Sequence, residues 1–170
     1  MHRFAADVPF LLFTAVFCYL GRKVRIQEGV VKERLFTVDE ANALIPRLEI
    51  VIGKLQRNGL ALRAALEKLA RETDRAPADV TTDDLLRSRP QLNTVVEECD
   101  TLLGEVESYG GQLKGLDLGL VDFPTVIEGD VVLLCWQYGE KEVSYYHSCE
   151  AGFAGRKPLD PQAPQRTYLQ

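Results

Sequence analysis

The side chains most able to do chemistry gather in the last third of the chain. Asp117, Asp122, Glu140, His147 and Glu150 form a polar set, with Cys135 and Cys149 nearby. Carboxylate oxygens together with one imidazole can hold a divalent metal, which makes Asp117, Asp122, His147 and Glu150 the candidate metal ligands. Two features weigh against a metal. His147 is the one histidine of this region, and no helix carries a Glu-x-x-His or His-x-x-x-His pair. A lone strand histidine is more often a packed or edge residue than a ligand. Ser148 beside His147 makes no nucleophile–base pair, since neighbours on a strand face opposite ways. No catalytic residue emerges, and no cofactor beyond that divalent metal is called for.

A second candidate is the loop Gly152-Phe153-Ala154-Gly155-Arg156. Two glycines three apart permit positive φ and close backbone approach. Successive N–H groups there can form an anion nest with Arg156 as a bidentate partner, so Gly152, Gly155 and Arg156 are the candidate ligand-binding residues. The plainer reading is a tight turn that tucks Phe153 into the core.

These residues need a scaffold. VVLLCWQY (131–138) and VSYYHS (143–148) are rich in β-branched and aromatic residues, which marks strands. Gly139-Glu140-Lys141-Glu142 between them reads as a tight turn. A two-residue loop at Glu140-Lys141 pairs Trp136 with Tyr145, Leu134 with His147 and Val132 with Cys149. Those pairs share the more aromatic face, which is expected to pack on the helices; Leu133, Cys135, Tyr146 and Ser148 take the other. In this register Cys135 and Cys149 point to opposite faces and cannot bond to each other, and His147 is half-buried beside Leu134. A slip of one residue would exchange the faces.

Thr37-Val38-Asp39-Glu40 is a capping box that opens a helix. Leu44, Leu48, Val51, Leu55, Asn58, Leu62, Ala65 and Leu69 then recur in steps of four and three, a heptad seam with one polar position. Pro46 removes a hydrogen bond and predicts a kink. The helix should end near Thr73; about 36 residues at 1.5 Å each span roughly 54 Å, which points to a protruding hairpin or a helical dimer. After a polar linker, Thr82-Asp83-Asp84 caps a short helical turn through Arg87. Pro90 opens a second helix with the seam Leu92, Val95, Cys99, Leu102, Val106, Tyr109, Leu113, and Gly110-Gly111 ends it. The two seams zip together as an antiparallel pair. Residues 121–127 add a third strand that turns through Glu128-Gly129-Asp130.

The chain has 170 residues, a net charge of −5 and a pI near 5.1. No Lys/Arg stripe stands out, which disfavours nucleic acid as a partner. The four cysteines are scattered and form no Cys-x-x-Cys pair, which fits reduced, cytoplasmic usage rather than a disulfide framework. Residues 8–20 are mostly apolar but short of the about 20 that a spanning helix needs, so no stable membrane span is expected. The alternative is weak membrane association through that run. Residues 1–31 carry four basic and two acidic side chains, a balance of +2 that leaves −7 for the rest. Such a segment reads as a short anchor, as an extra packed element, or as sequence ahead of a true start at Val30 or Val31. The third reading is favoured, and an intact mass that includes Met1 would end it.

LFTVDEANALIP (35–46), GLDLGLVDFP (115–124), LLCWQYGE (133–140) and YHSCEAGFAGRKPL (146–159) resemble, in that order, the prokaryotic family called domain of unknown function 2203. The resemblance covers about residues 34–159 and implies a small cytoplasmic protein with a helical hairpin and a small sheet. It implies no activity and carries over no catalytic residues. The family begins just before LFT, so residues 1–31 depart from it.

The expectation is therefore an α+β fold. A long antiparallel helical hairpin, coiled-coil-like, packs with an antiparallel sheet of two to three strands. It forms a single domain over residues 34–159, with an extension at 1–33 and a flexible tail at 160–170. Two functions compete. The favoured one is a non-enzymatic cytoplasmic interaction or scaffold protein, self-associating through its helices or meeting a protein partner. The other is a metal- or small-anion-binding protein or enzyme with its site around His147 and the Gly152–Arg156 loop.

Overall fold

A computed structural model describes residues 34–160. The expectations for residues 1–33, including the apolar run 8–20, and for the tail beyond residue 160 lie outside them. The fold is α+β. Among the described residues three α-helices, α1 (Val38–Glu72), α2 (Thr82–Ser88) and α3 (Asn93–Ser108), precede five strands: β1 (Gln112–Gly115), β2 (Leu120–Ile127), β3 (Asp130–Gln137), β4 (Tyr145–Ser148) and β5 (Lys157–Pro158). The strands form one antiparallel sheet in sequential order, where the sequence predicts two or three. No helix among the described residues is long and apolar enough to cross a membrane. The described residues divide into two compact units, 58–100 and 34–57 with 101–160.

In the first unit Leu62, Leu66, Leu69, Leu85 and Cys99 are buried. Asn58, the polar position of the α1 seam, donates to Glu98 at 2.9 Å. Arg89 donates to the Ala65 carbonyl at 2.8 Å and to Glu72 at 2.7 Å. Partner numbers rise from 89 to 98 as those on α1 fall from 72 to 58, so the helical segments here are antiparallel neighbours. Helix α2 is capped by Thr81, one residue before the predicted cap. The Thr81 hydroxyl accepts from the Asp84 amide and Asp84 accepts from the Thr81 amide. Those contacts, with Arg75 beside them, hold the Asp84 carboxyl down to about 2.

The second unit holds the sheet. The α1 capping box forms as its residues predict, with Thr37 N donating to Glu40 at 2.9 Å and Glu40 N to the Thr37 hydroxyl at 3.1 Å. Ala41, Ile45, Leu48, Val51, Ile52 and Leu55 are buried, a stripe wider than one seam. It faces Val121, Phe123, Leu134 and Trp136, all buried on one side of the sheet. The Phe36 and Phe123 rings lie 5.1 Å apart, and Gln56 donates to the Leu116 carbonyl at 3.0 Å. Strands β2 and β3 are joined by Glu128 and Gly129, both at positive φ. This two-residue turn matches the twist of a hairpin and locks the pairing from Ile127↔Asp130 to Leu120↔Gln137.

The β3–β4 register differs from the expected one by a single residue. Leu133 pairs with His147, Leu134 with Tyr146 and Cys135 with Tyr145, so His147 lies on the face opposite to Trp136. The cause is in residues 138–144, which do not make a two-residue turn. Glu140 folds back on β3: its carbonyl accepts from Trp136 Nε1 at 2.8 Å, and its carboxylate accepts from Gln137 N at 2.8 Å. Val143 is buried, and its N–H donates to Asn42 Oδ1 of α1 at 2.7 Å. The loop is thus tied to the helix, and β4 rejoins β3 one position out of the expected register.

Strands β1 and β5 have no strand signature of their own. Leu113 reads as the last position of a helical seam, but Gly110 ends the helix at φ +83. A Cβ there would meet the Phe36 ring at 2.6 Å. Strand β5 is two residues, one of them proline, paired with Tyr145 and Tyr146.

Candidate metal centre

Pairing builds the site. Asp122 on β2 and Cys135 on β3 are register partners, and His147 on β4 pairs with Leu133, two residues along from Cys135. All three side chains therefore project from one face of the sheet. All three are buried, and their donor atoms lie within 4.8 Å of one another. His147 Nε2 is 3.2 Å from Asp122 Oδ2. His147 Nδ1 lies 2.8 Å from the Ser148 carbonyl. A carbonyl only accepts, so Nδ1 carries the proton and Nε2 is directed at the carboxylate. Asp122 Oδ1 is buried without a hydrogen-bond partner among the described residues.

Burial, and then the Asp122 carboxylate beside it, push the Cys135 thiol up to about 12. An unassisted thiol there stays protonated and is a poor nucleophile. A bound metal reverses this, because a coordinating thiol is deprotonated outright. The spacing suits an ion. Tetrahedral zinc with nitrogen and oxygen bonds near 2.0–2.1 Å sets those two donors about 3.3 Å apart, against the 3.2 Å observed. A cavity of about 170 Å³ adjoins the three donors, lined also by Lys114, Leu120, Leu133, Cys149, Gly152 and Phe153.

Of the four predicted metal ligands, Asp122 and His147 converge. Asp117 and Glu150 are exposed in turns and lie outside the donor group; Asp117 offers its backbone carbonyl to Gln56 at 3.2 Å. Among the predicted loop ligands, Gly152 lines the cavity, and Gly155 packs against Ala151. Arg156 faces inward. Its Nη2 reaches both Glu140 oxygens at 2.9 and 2.8 Å and the Cys135 carbonyl at 3.1 Å. Its guanidinium lies over the Tyr145 and Phe153 rings at 4.4 and 5.0 Å. The N–H groups of Gly155 and Arg156 close their own turn onto the Gly152 and Phe153 carbonyls, which leaves them no free direction for a nest. Phe153 is 41% exposed and so does not tuck into the core. Cys135 and Cys149 both border the cavity rather than opposite faces, and both thiols are free. Cys135 is the member that sequence reasoning set beside the group rather than in it. The Glu128-Gly129 hairpin turn is the signal that locates it, since a two-residue loop there puts Asp122 opposite Cys135.

A family model described as "Uncharacterized conserved protein (DUF2203)" matches residues 34–159. The chain belongs to this family. The DUF2203 match runs from ahead of α1 through β5 and contains Asp122, Cys135 and His147. No curated protein and no solved structure matches the chain.

Proposed function

We propose that this DUF2203 protein binds one divalent ion of the zinc class between Asp122, Cys135 Sγ and His147 Nε2, with a fourth position open to the cavity. The observation that carries the reading is the buried group of three donors within 4.8 Å, with Nε2 aimed by the Nδ1 bond to Ser148. Thiolate, imidazole and carboxylate together suit zinc, and three protein ligands leave one position for water or substrate. The Ser148 carbonyl is the outer partner that orients a metal-binding imidazole. A dication also balances Asp122 and a Cys135 thiolate, so the buried site is neutral when filled. An ion placed there would activate a bound water or polarise a carbonyl, and hydrolytic chemistry is the class it would support. A cytoplasmic setting, where thiols stay reduced, fits the free cysteines.

Protein equilibrated with Zn²⁺ or Co²⁺ and then desalted should retain about one equivalent. The Co²⁺ form should show a thiolate charge-transfer band that Cys135→Ser abolishes. Asp122→Asn, Cys135→Ser and His147→Ala should each weaken retention at least about tenfold, since even outer-partner changes cost that much. Equal retention in all three variants, or none by the unmodified chain, would sink the reading.

The scaffold reading rests on Ile50 and Leu60, large apolar residues of α1 that are exposed. It has less behind it, because Leu48, Leu55, Leu62 and Leu69 of the predicted seam are buried within one chain. A strict monomer by sedimentation at micromolar concentration would end it.

A further inference from the structure

The cavity limits what could reach the open position. Its volume of about 170 Å³ is close to the roughly 150 Å³ of an engineered protein cavity that holds benzene, so a compact body of ring size fits. Leu120, Leu133 and Phe153 give it an apolar wall, and Lys114 is the one lysine or arginine among its lining residues. Lys114 sits at the bulge of β1, between Leu113 and Gly115, which pair with Val121 and Leu120 of β2. It is exposed and makes no ion pair with the described residues. Arg156, whose guanidinium lies over the Phe153 ring, is already paired with Glu140. Asp122, the one carboxylate among the lining residues, is held against His147 Nε2 at 3.2 Å, so Lys114 is the charged lining residue left without a partner among them.

We propose that this cavity takes a small monocarboxylate with a compact apolar body, and that Lys114 sets its preference for anions. The body would lie against Leu120, Leu133 and Phe153 and the carboxylate against Lys114. The inference rests on the metal reading for what happens at the fourth position, while the anion preference comes from the cavity wall.

Benzoate, benzamide and benzylamine share a ring and differ in charge. Titrated into metal-loaded and metal-free protein and followed by NMR shifts, benzoate should bind about three- to fivefold more tightly than benzamide, the range of a solvent-exposed ion pair, and benzylamine should bind least. Lys114→Gln should remove the benzoate advantage while benzamide affinity and metal stoichiometry stay unchanged, and Lys114→Glu should favour benzylamine. Equal binding of benzoate and benzamide, an undiminished benzoate advantage in Lys114→Gln, or no binding of any of the three at millimolar concentration overturns the proposal. Loss of the metal reading alone would appear as Lys114-dependent benzoate binding to a protein that retains no metal. Loss of this inference alone would appear as full metal retention without charge preference.

Discussion

His147 on β4 and Asp122 on β2 meet across the strand between them, Nε2 to Oδ2 at 3.2 Å, although neither is the other's register partner. The pair is buried, and Cys135 of the intervening strand completes the group.

In metal-free protein, removing one member leaves the other buried without its partner. His147→Ala should therefore cost about 1–3 kcal/mol. The double variant Asp122→Ala/His147→Ala should cost less than the two single changes together, by about 1–3 kcal/mol. Urea denaturation of chelator-treated proteins measures both, and strict additivity would mean that the two groups do not interact.

Cys135 makes stability fall at alkaline pH. Its folded-state pKa of about 12 lies above the ordinary thiol value of 9.0, chiefly through burial and then through the Asp122 charge. The folded chain holds that proton longer than the unfolded chain. Its contribution is therefore full below pH 9 and is lost as pH rises toward 12. Metal-free protein should lose stability across this window more steeply than Cys135→Ser does; parallel curves would contradict the assignment.

Arg156 should not be replaceable by lysine. One guanidinium binds Glu140 and the Cys135 carbonyl and stacks on two rings, a planar role that an ammonium cannot fill. Arg156→Lys should cost about 1–2 kcal/mol and Arg156→Ala about 2–3 kcal/mol, the scale of hydrogen bonds to charged groups. Trp136 fluorescence should shift in both, because Trp136 Nε1 donates to the Glu140 carbonyl. A silent Arg156→Lys would show that charge alone suffices.

Two glycines at positive φ separate backbone strain from crowding. At Gly119 (φ +61) a Cβ would lie 2.5 Å from Tyr138 Cβ and 2.8 Å from Ile52 Cγ2, whereas at Gly139 (φ +92) nothing lies within 4 Å. The left-handed backbone costs an alanine about 1–2 kcal/mol at either place. Only Gly119 adds overpacking, about 1–3 kcal/mol more. Thermal or urea unfolding of Gly119→Ala and Gly139→Ala should show that difference, and equal losses would mean that the Gly119 turn gives way.

Much of this was legible locally. Thr37 and Glu40 announce their capping box, Leu48 and Leu62 their buried helical side, and VVLLCWQY a strand whose Trp136 face is buried. Asp122 and His147 stand out as donors by residue type. Cys135 does not, because its partnership depends on which residues face it. Asp117 and Glu150 look equally able to bind metal as residue types, and only their place in exposed turns removes them.

Sequence by itself determined the long helix with its Thr37/Glu40 capping box and the alternation of β2 and β3, because capping bonds, heptad spacing and pleat act over a few neighbouring residues. Only the tertiary structure decided that β1 and β5 are strands and where β4 sits. One bond that ties down the loop before β4, Val143 N to Asn42 Oδ1, joins residues 101 positions apart. No local period encodes such a contact, and β4 leaves that loop one residue out of the expected register, with His147 on the side of Asp122 and Cys135 rather than of Trp136.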